Sequence, residues 1–291
     1  MICNICPRKC GIDRSTSLGA CKMSNTVRVA KIMVHNWEEP PISGTNGSGT
    51  IFFSGCSLGC VYCQNRDISH TGYGKEMSIS ELGNAMLDLQ SKGVHNINLV
   101  TPTHFAPMIR EAIDLVRNEL KIPIVYNTSG YELDTEIRKM AGYVDIFLTD
   151  IKYFSPELSK KYSNAQTYFE HAIKALGAML EIAPNCIFDE SGIMQRGVIL
   201  RHLVLPTMRN DSKKILDAVA NLYGTKGLKL SLMCQYTPEF CDEKFKEIKR
   251  KITTFEYQSV LEHAISLGFD GYTQDLSSAN TIYTPNFKEK I

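Results

Sequence analysis

From residue 50 onward, short apolar runs alternate with longer amphipathic stretches, and this alternation restricts the fold more than any other feature of the chain. Residues 50–53, 97–100, 122–126, 144–148, 198–204 and 229–233 read as six strands. Between them the spacing predicts helices from a Ser78 cap to about Lys92, over 106–120, from an Asp134 cap to about Ala141, across 156–180 with an interruption, and over 211–223. A last helix is expected over 255–267. Strands and helices in this order form a parallel sheet with right-handed crossovers. The expected fold is therefore α/β, an incomplete (β/α)6 barrel, whose chemistry gathers at the C-terminal ends of its strands.

The first strand runs into SGCSLGCVYCQN, residues 54–65, where Cys56, Cys60 and Cys63 stand at a C-x3-C-x2-C spacing. Free cysteine packs as a small hydrophobe, but Ser57, Gly59, Gln64 and Asn65 make a poor core run. A structural zinc site takes four Cys or His ligands, and this loop has no fourth. A nucleophile or a redox pair needs only one or two thiols. A 4Fe-4S cluster takes a thiolate on each iron, so three cysteines leave one iron open to a substrate. That is the chemistry expected here.

The remaining strand ends are also polar. After the second comes VTPTH, where Thr101 and Thr103 offer acceptors for an amine and His104 reads either as an acid–base group or as structural. YNTSGY, residues 126–131, follows the third. TDIKY follows the fourth, and its Asp150 and Lys152 fall on one face of an extended chain, suited to a zwitterion or a small cation. Arg201, after the fifth, suits a bidentate grip on a carboxylate. Met233, Gln235 and Tyr236, after the sixth, supply a sulfur, an amide and a ring against which an adenine can lie.

Upstream, Cys3, Cys6, Cys10 and Cys21 form a C-x2-C-x3-C-x10-C arrangement on a loop-rich segment. It reads as a metal site for zinc or a second iron–sulfur cluster, with an unmetallated thiol tail as the alternative. Residues 27–37 read as a strand or two, with His35 and Trp37 as packing and hydrogen-bonded surface and not as catalytic groups, before the Pro40-Pro41 break and a flexible 43–49 linker. The expected division is a cysteine-rich metal-binding segment and linker over 1–49, and a barrel with a C-terminal extension over 50–291. Cys186, Cys234 and Cys241 have no assigned role. The chain has 32 Lys and Arg against 31 Asp and Glu, so no global field recruits nucleic acid or anionic membrane. The start MICNICPRKC has no apolar leader and no run of about 18 apolar residues occurs, so a cytoplasmic protein is expected.

With Tyr62 directly before its last cysteine, the three-cysteine loop resembles the signature of radical S-adenosylmethionine (SAM) enzymes. CPRKCG, GCSLGCVYCQN, VTPTH, TDIKY, QRGVILRHLVLP and LMCQYTP together are similar, in this order, to the pyruvate formate-lyase activating enzyme group, and more closely to its X-type subgroup of uncertain substrate. The Gly-Gly-Glu-like segment general to radical SAM enzymes is absent at 100–104.

The resemblance implies a 4Fe-4S cluster on Cys56, Cys60 and Cys63, with SAM on the open iron. It implies reductive cleavage of SAM to a 5'-deoxyadenosyl radical, hydrogen abstraction from a glycine of a glycyl-radical enzyme, and a flavodoxin- or ferredoxin-type reductant. Asn127, Thr128 and Asp150 match the residues that hold a monovalent cation beside SAM in activating enzymes, Asn127 standing where those have an acid. Lys152 and Arg201 match residues that engage SAM or the target's backbone, and Gln235 or Tyr236 takes the place beside the adenine. The N-terminal cysteines are no part of the minimal activating enzyme. The rival readings are a radical enzyme acting on another peptide or a small molecule, and a non-catalytic iron–sulfur or zinc electron-transfer protein.

Overall fold

The computed structural model describes residues 2–275 together with Pro285 and Phe287. Its strands, among the described residues, are β1 (Val27–His35), β2 (Ser48–Phe53), β3 (Lys75–Met77), β4 (Ile97–Val100), β5 (Ile124–Thr128), β6 (Ile146–Asp150), β7 (Ile187–Phe188), β8 (Met194–Leu203), β9 (Leu228–Met233) and β10 (Gly271–Thr273). The main sheet runs β10-β9-β8-β6-β5-β4-β2-β1-β3, and β7 pairs off β8. Neighbours from β2 through β4, β5, β6 and β8 to β9 are all parallel, and they are the six strands expected from the sequence. Among the described residues no pairing joins β3 to β10, so the sheet is open, as an incomplete barrel requires.

Helices cover the outer face. The helix Ile79–Ser91 begins with the expected capping box, Ser78 with Glu81, and buries Leu82, Met86 and Leu89 at helical spacing. The interruption expected near 156–180 is Asn164, left-handed at φ 47°, which ends Pro156–Ser163 before Tyr168–Ile182 starts. Each fully buried Leu or Met on these faces contributes roughly 1.5–3 kcal/mol.

Strand geometry positions the site. Side chains alternate with period two, and Val125, Leu148 and Ile199 form an apolar layer inside the barrel with Ile42 packed against them. Two residues further on, the same face carries Asn127, Asp150 and Arg201. Register aligns them, since Asp150 is the partner of Arg201 across β6 and β8. A polar layer thus sits on an apolar floor.

Several boundaries differ from expectation. β5 starts at Ile124 because Pro123 has no N–H for the ladder. β6 starts at Ile146 because the Asp145 carboxylate accepts from the Ile124 N–H at 2.9 Å. β7 with the start of β8, and β10, carry too little pattern to be read. Residues 27–35 pair antiparallel with β2 and so belong to the main sheet. The 43–49 run is pinned, a turn between the short helix Pro40–Ser43 and β2: Asn46 N–H donates to His95 Nε2 at 3.1 Å, and Ser48 Oγ, at the start of β2, to Asn96 Oδ1 at 2.6 Å. The expected C-terminal extension beyond 275 lies outside the described residues, apart from Pro285 and Phe287.

Candidate functional site

A cavity of about 250 Å³ opens at the C-terminal ends of the strands, between the cysteine loop and the polar layer. Cys56, Cys60, Tyr62, Cys63, Thr101, Asn127, Thr128, Asp150, Lys152, Arg201, Met233 and Gln235 all line it. A groove of about 310 Å³ between β1, β3 and the helix Ile79–Ser91 is lined by Lys75, Glu81 and Asp88 among others, and holds no cysteine. The chemistry lies in the first.

Each cysteine sulfur of the loop already accepts a hydrogen bond: Cys56 from Leu58 N–H at 3.3 Å, Cys60 from Ser163 Oγ at 3.0 Å, and Cys63 from Ser69 Oγ at 3.4 Å. Burial pushes the Cys60 thiol up to about 12 and raises Cys63 as well. Thiols in such a place lose their protons on binding a metal. Three soft donors around one cavity, each with its own hydrogen bond, suit an iron–sulfur cluster, whose potential responds to such bonds. Among the described residues no group of three or more His, Cys, Asp or Glu side chains is arranged to hold a single metal ion.

The opposite wall is a charge network. Arg201 donates from Nε to Asp150 Oδ1 at 2.9 Å and from Nη2 to Asn127 Oδ1 at 2.6 Å, while its Nη1 lies 3.5 Å from Glu38 Oε2. Lys152 Nζ meets the second Asp150 oxygen at 2.5 Å. Asn127 Nδ2 donates to Glu38 Oε1 at 3.2 Å. Burial opposes ionisation of Asp150, but Arg201 and then Lys152 outweigh it and hold the carboxyl below its usual range. Burial likewise opposes the Lys152 charge, and Asp150 overrides it. Two carboxylates face two cations, a balance that suits a zwitterion.

Not every expected residue faces the cavity. Thr103 sits in a 3-10 turn, is 2% exposed and donates to the Glu132 carboxylate at 2.5 Å, so its hydroxyl is committed elsewhere. Tyr236 donates its hydroxyl to the Ile248 carbonyl at 2.7 Å and packs edge-on behind Tyr62. Tyr62 itself is hydrogen-bonded to Tyr153, which reaches Ser163 and so the donor on Cys60. His104 Nε2 is bonded to the Ser54 carbonyl, and burial lowers its pKa to about 4, which makes it a neutral structural group. Trp37, expected as packing or surface, is exposed and borders the cavity.

Glu38 and Glu39 escaped the sequence reading. Glu39 lies buried beneath, accepting from Ser231 Oγ at 2.8 Å, and burial raises its pKa. Their signal was an acidic pair directly before two prolines, which locks the entry of the chain into the short helix Pro40–Ser43. Thr101 is left-handed at φ 61°, a strained state for a β-branched residue and one found at functional sites.

At the N-terminus, tight turns gather the four cysteines: Cys3 N–H donates to Ile12 O at 2.8 Å, Lys9 N–H to Cys6 O at 3.0 Å and Gly11 N–H to Cys3 O at 3.2 Å. A Cβ on Gly19 would lie 3.2 Å from Cys21 Sγ and 3.7 Å from Cys10 Sγ, so its bare backbone leaves room for both sulfurs.

An open, mostly parallel α/β sheet with a three-cysteine loop after its first parallel strand defines a cofactor-dependent partial barrel. Residues 50–193 match the sequence profile of the radical SAM superfamily, and the chain carries a radical SAM domain. That family implies a 4Fe-4S cluster and SAM. The chain is 27% identical over 278 residues to an uncharacterised protein of Methanocaldococcus jannaschii, covering 92% of this chain and 75% of that one. It is 25% identical over 186 residues to the pyruvate formate-lyase-activating enzyme of Clostridium pasteurianum, covering 62% of this chain and 71% of the enzyme. A radical SAM methyltransferase from Sphaerobacter thermophilus shares the fold with a TM-score of 0.51 at 14% identity, over 77% of this chain and 65% of that one. The chain therefore spans a little under two thirds of that methyltransferase. Among the described residues no helix is long and apolar enough to cross a membrane.

Proposed function

We propose that this protein reductively cleaves SAM and uses the resulting radical to take a hydrogen atom from a glycine of a partner protein. The observation that carries this reading is the shared cavity, in which three hydrogen-bonded thiols face a charge-balanced wall of Glu38, Asp150, Lys152 and Arg201. A 4Fe-4S cluster held here would supply the one electron of the cleavage, which with one electron of the bond from sulfur to the 5' carbon becomes a lone pair on the methionine sulfur, the other bond electron staying on the 5' carbon. The chain's own part is to hold and to exclude water. Cys56, Cys60 and Cys63 ligate the cluster. Asp150, Lys152, Arg201, Asn127 and Thr128 orient the zwitterionic end of SAM, and Thr101, Met233 and Gln235 bound its remainder. Tyr62 closes the cluster side against solvent.

The glycine substrate rests on the likeness to the activating enzyme of Clostridium pasteurianum. A flavodoxin- or ferredoxin-type donor supplies the electron, and the N-terminal thiols hold zinc or a second cluster. A pure electron carrier needs no charge network beside its cluster, which favours an enzyme. Anaerobic reconstitution with iron and sulfide, then dithionite and SAM, is expected to release 5'-deoxyadenosine. No release from fully loaded protein sinks the proposal. A glycyl doublet in the EPR spectrum of a co-incubated glycyl-radical enzyme tests the substrate.

A further inference from the structure

We infer that Arg8, from the N-terminal cysteine segment, is the positioning residue of the cluster loop. Its Nε donates to the Ser57 carbonyl at 2.7 Å, and its Nη2 to the carbonyls of Leu58 at 3.2 Å and Ser163 at 3.0 Å. Its Nη1 donates to the Asn164 carbonyl, and its guanidinium lies over the Tyr131 ring at 5.3 Å. One side chain thus bridges two segments more than a hundred residues apart in sequence.

Both segments govern Cys60. Ser57 and Leu58 lie between Cys56 and Cys60 in the loop. Ser163 and Asn164 end the helix Pro156–Ser163, whose last carbonyls carry its negative pole and lack partners within the helix. The same helix end donates Ser163 Oγ to Cys60 Sγ at 3.0 Å, and its Tyr162 carbonyl accepts the Val61 N–H at 2.9 Å. Arg8 therefore clamps the loop to the helix end that supports the middle cysteine. A planar fork with five N–H donors can span four carbonyls, whereas an ammonium on a flexible stem cannot. Cys6 and Cys10 flank Arg8, and the Lys9 N–H to Cys6 carbonyl turn sets its exit. The four-cysteine segment acts on the radical centre by mounting this arginine, whatever metal it holds.

The inference rests on the proposed cluster at Cys56, Cys60 and Cys63. It is tested on full-length wild type, Arg8→Lys and Arg8→Gln, each reconstituted to equal iron. The readouts are the part of the reduced-cluster EPR signal that shifts on adding SAM, followed over time with a ferrous chelator, and the melting temperature of the iron-free proteins. Both variants are expected to lose the SAM-shifted signal about tenfold faster than wild type or more, while the iron-free proteins melt alike. Wild-type retention in both variants overturns the inference, as does full rescue by lysine. Loss matched by a fall in the iron-free melting temperature also overturns it, since Arg8 is then a general structural residue. Wild type lacking any SAM-shifted signal is a separate result, and it overturns the proposed function instead.

Discussion

The Glu38 carboxylate accepts from the Asn127 amide at 3.2 Å, so an acid enters the polar wall from the loop after β1 and not from β5. On β5 itself the chain carries an amide, which pairs with a carboxylate brought from elsewhere. Glu38 thus supplies the negative charge beside Asn127 from the loop after β1.

Glu38→Gln keeps the shape of that contact and removes its charge. Arg201 then retains Asp150 as its ion-pair partner and Asn127 as a neutral one, and its grip on the cavity loosens. A weakening of SAM binding by about tenfold is expected, with the fold intact, since a hydrogen bond to a charged group is worth about 1.5–3 kcal/mol. Equilibrium binding of SAM to reconstituted protein checks this.

Asp150→Asn leaves both Lys152 and Arg201 without their shared carboxylate in a wall where these side chains are only 11–17% exposed. Breaking one partner of such a buried network costs about 3–5 kcal/mol. Denaturant unfolding of the iron-free protein is expected to show a midpoint lowered accordingly, and unchanged stability would mean that solvent screens the network.

Glu132 is buried beneath the site, taking hydrogen bonds from Thr103 and Thr128, and burial lifts its pKa from an ordinary 4.5 to about 7. An acid whose folded value is raised keeps its proton longer in the folded state, so stability is fullest below pH 4.5 and falls as pH rises through about 7. Glu132→Gln removes that titration. Its stability relative to wild type should rise between pH 5 and 8 by on the order of 3 kcal/mol at most, measured by urea unfolding at each pH. A difference that does not vary with pH refutes the raised pKa.

Ser163→Ala removes the hydroxyl donor from Cys60 Sγ. Hydrogen bonds to cluster sulfurs favour the more negative, reduced state. The reduction potential is therefore expected to move to more negative values in a spectroelectrochemical titration, with SAM affinity little changed.

Gly130 has φ 78°, and a Cβ there would lie 2.0 Å from the Asp150 carbonyl oxygen. Gly130→Ala must displace the end of β6 as well as strain its own backbone, at a cost of about 1–3 kcal/mol from the strain alone. Lower stability together with weaker SAM binding is expected, because Asp150 moves with its backbone.

What the sequence by itself determined is what local pattern can encode. Apolar runs of strand length between capped helices dictate the six parallel strands, and the spacing of Cys56, Cys60 and Cys63 dictates three thiols on one loop. Period two placed Asp150 with Lys152, and the strand-end rule placed Asn127 and Arg201 on the same rim. Only the tertiary structure decided which neighbours these groups meet. Thr103 and Tyr236 stand at strand ends, yet a 3-10 turn commits one hydroxyl to Glu132 and the other reaches Ile248. Glu38 and Arg8 lie outside the strand ends, yet the antiparallel strand β1 and a turn flanked by cysteines bring them to Arg201 and to the cluster loop. The physical reason is that periodicity fixes the face on which a side chain stands, whereas loop path and strand register fix its partners, and those arise from contacts between residues far apart in the chain.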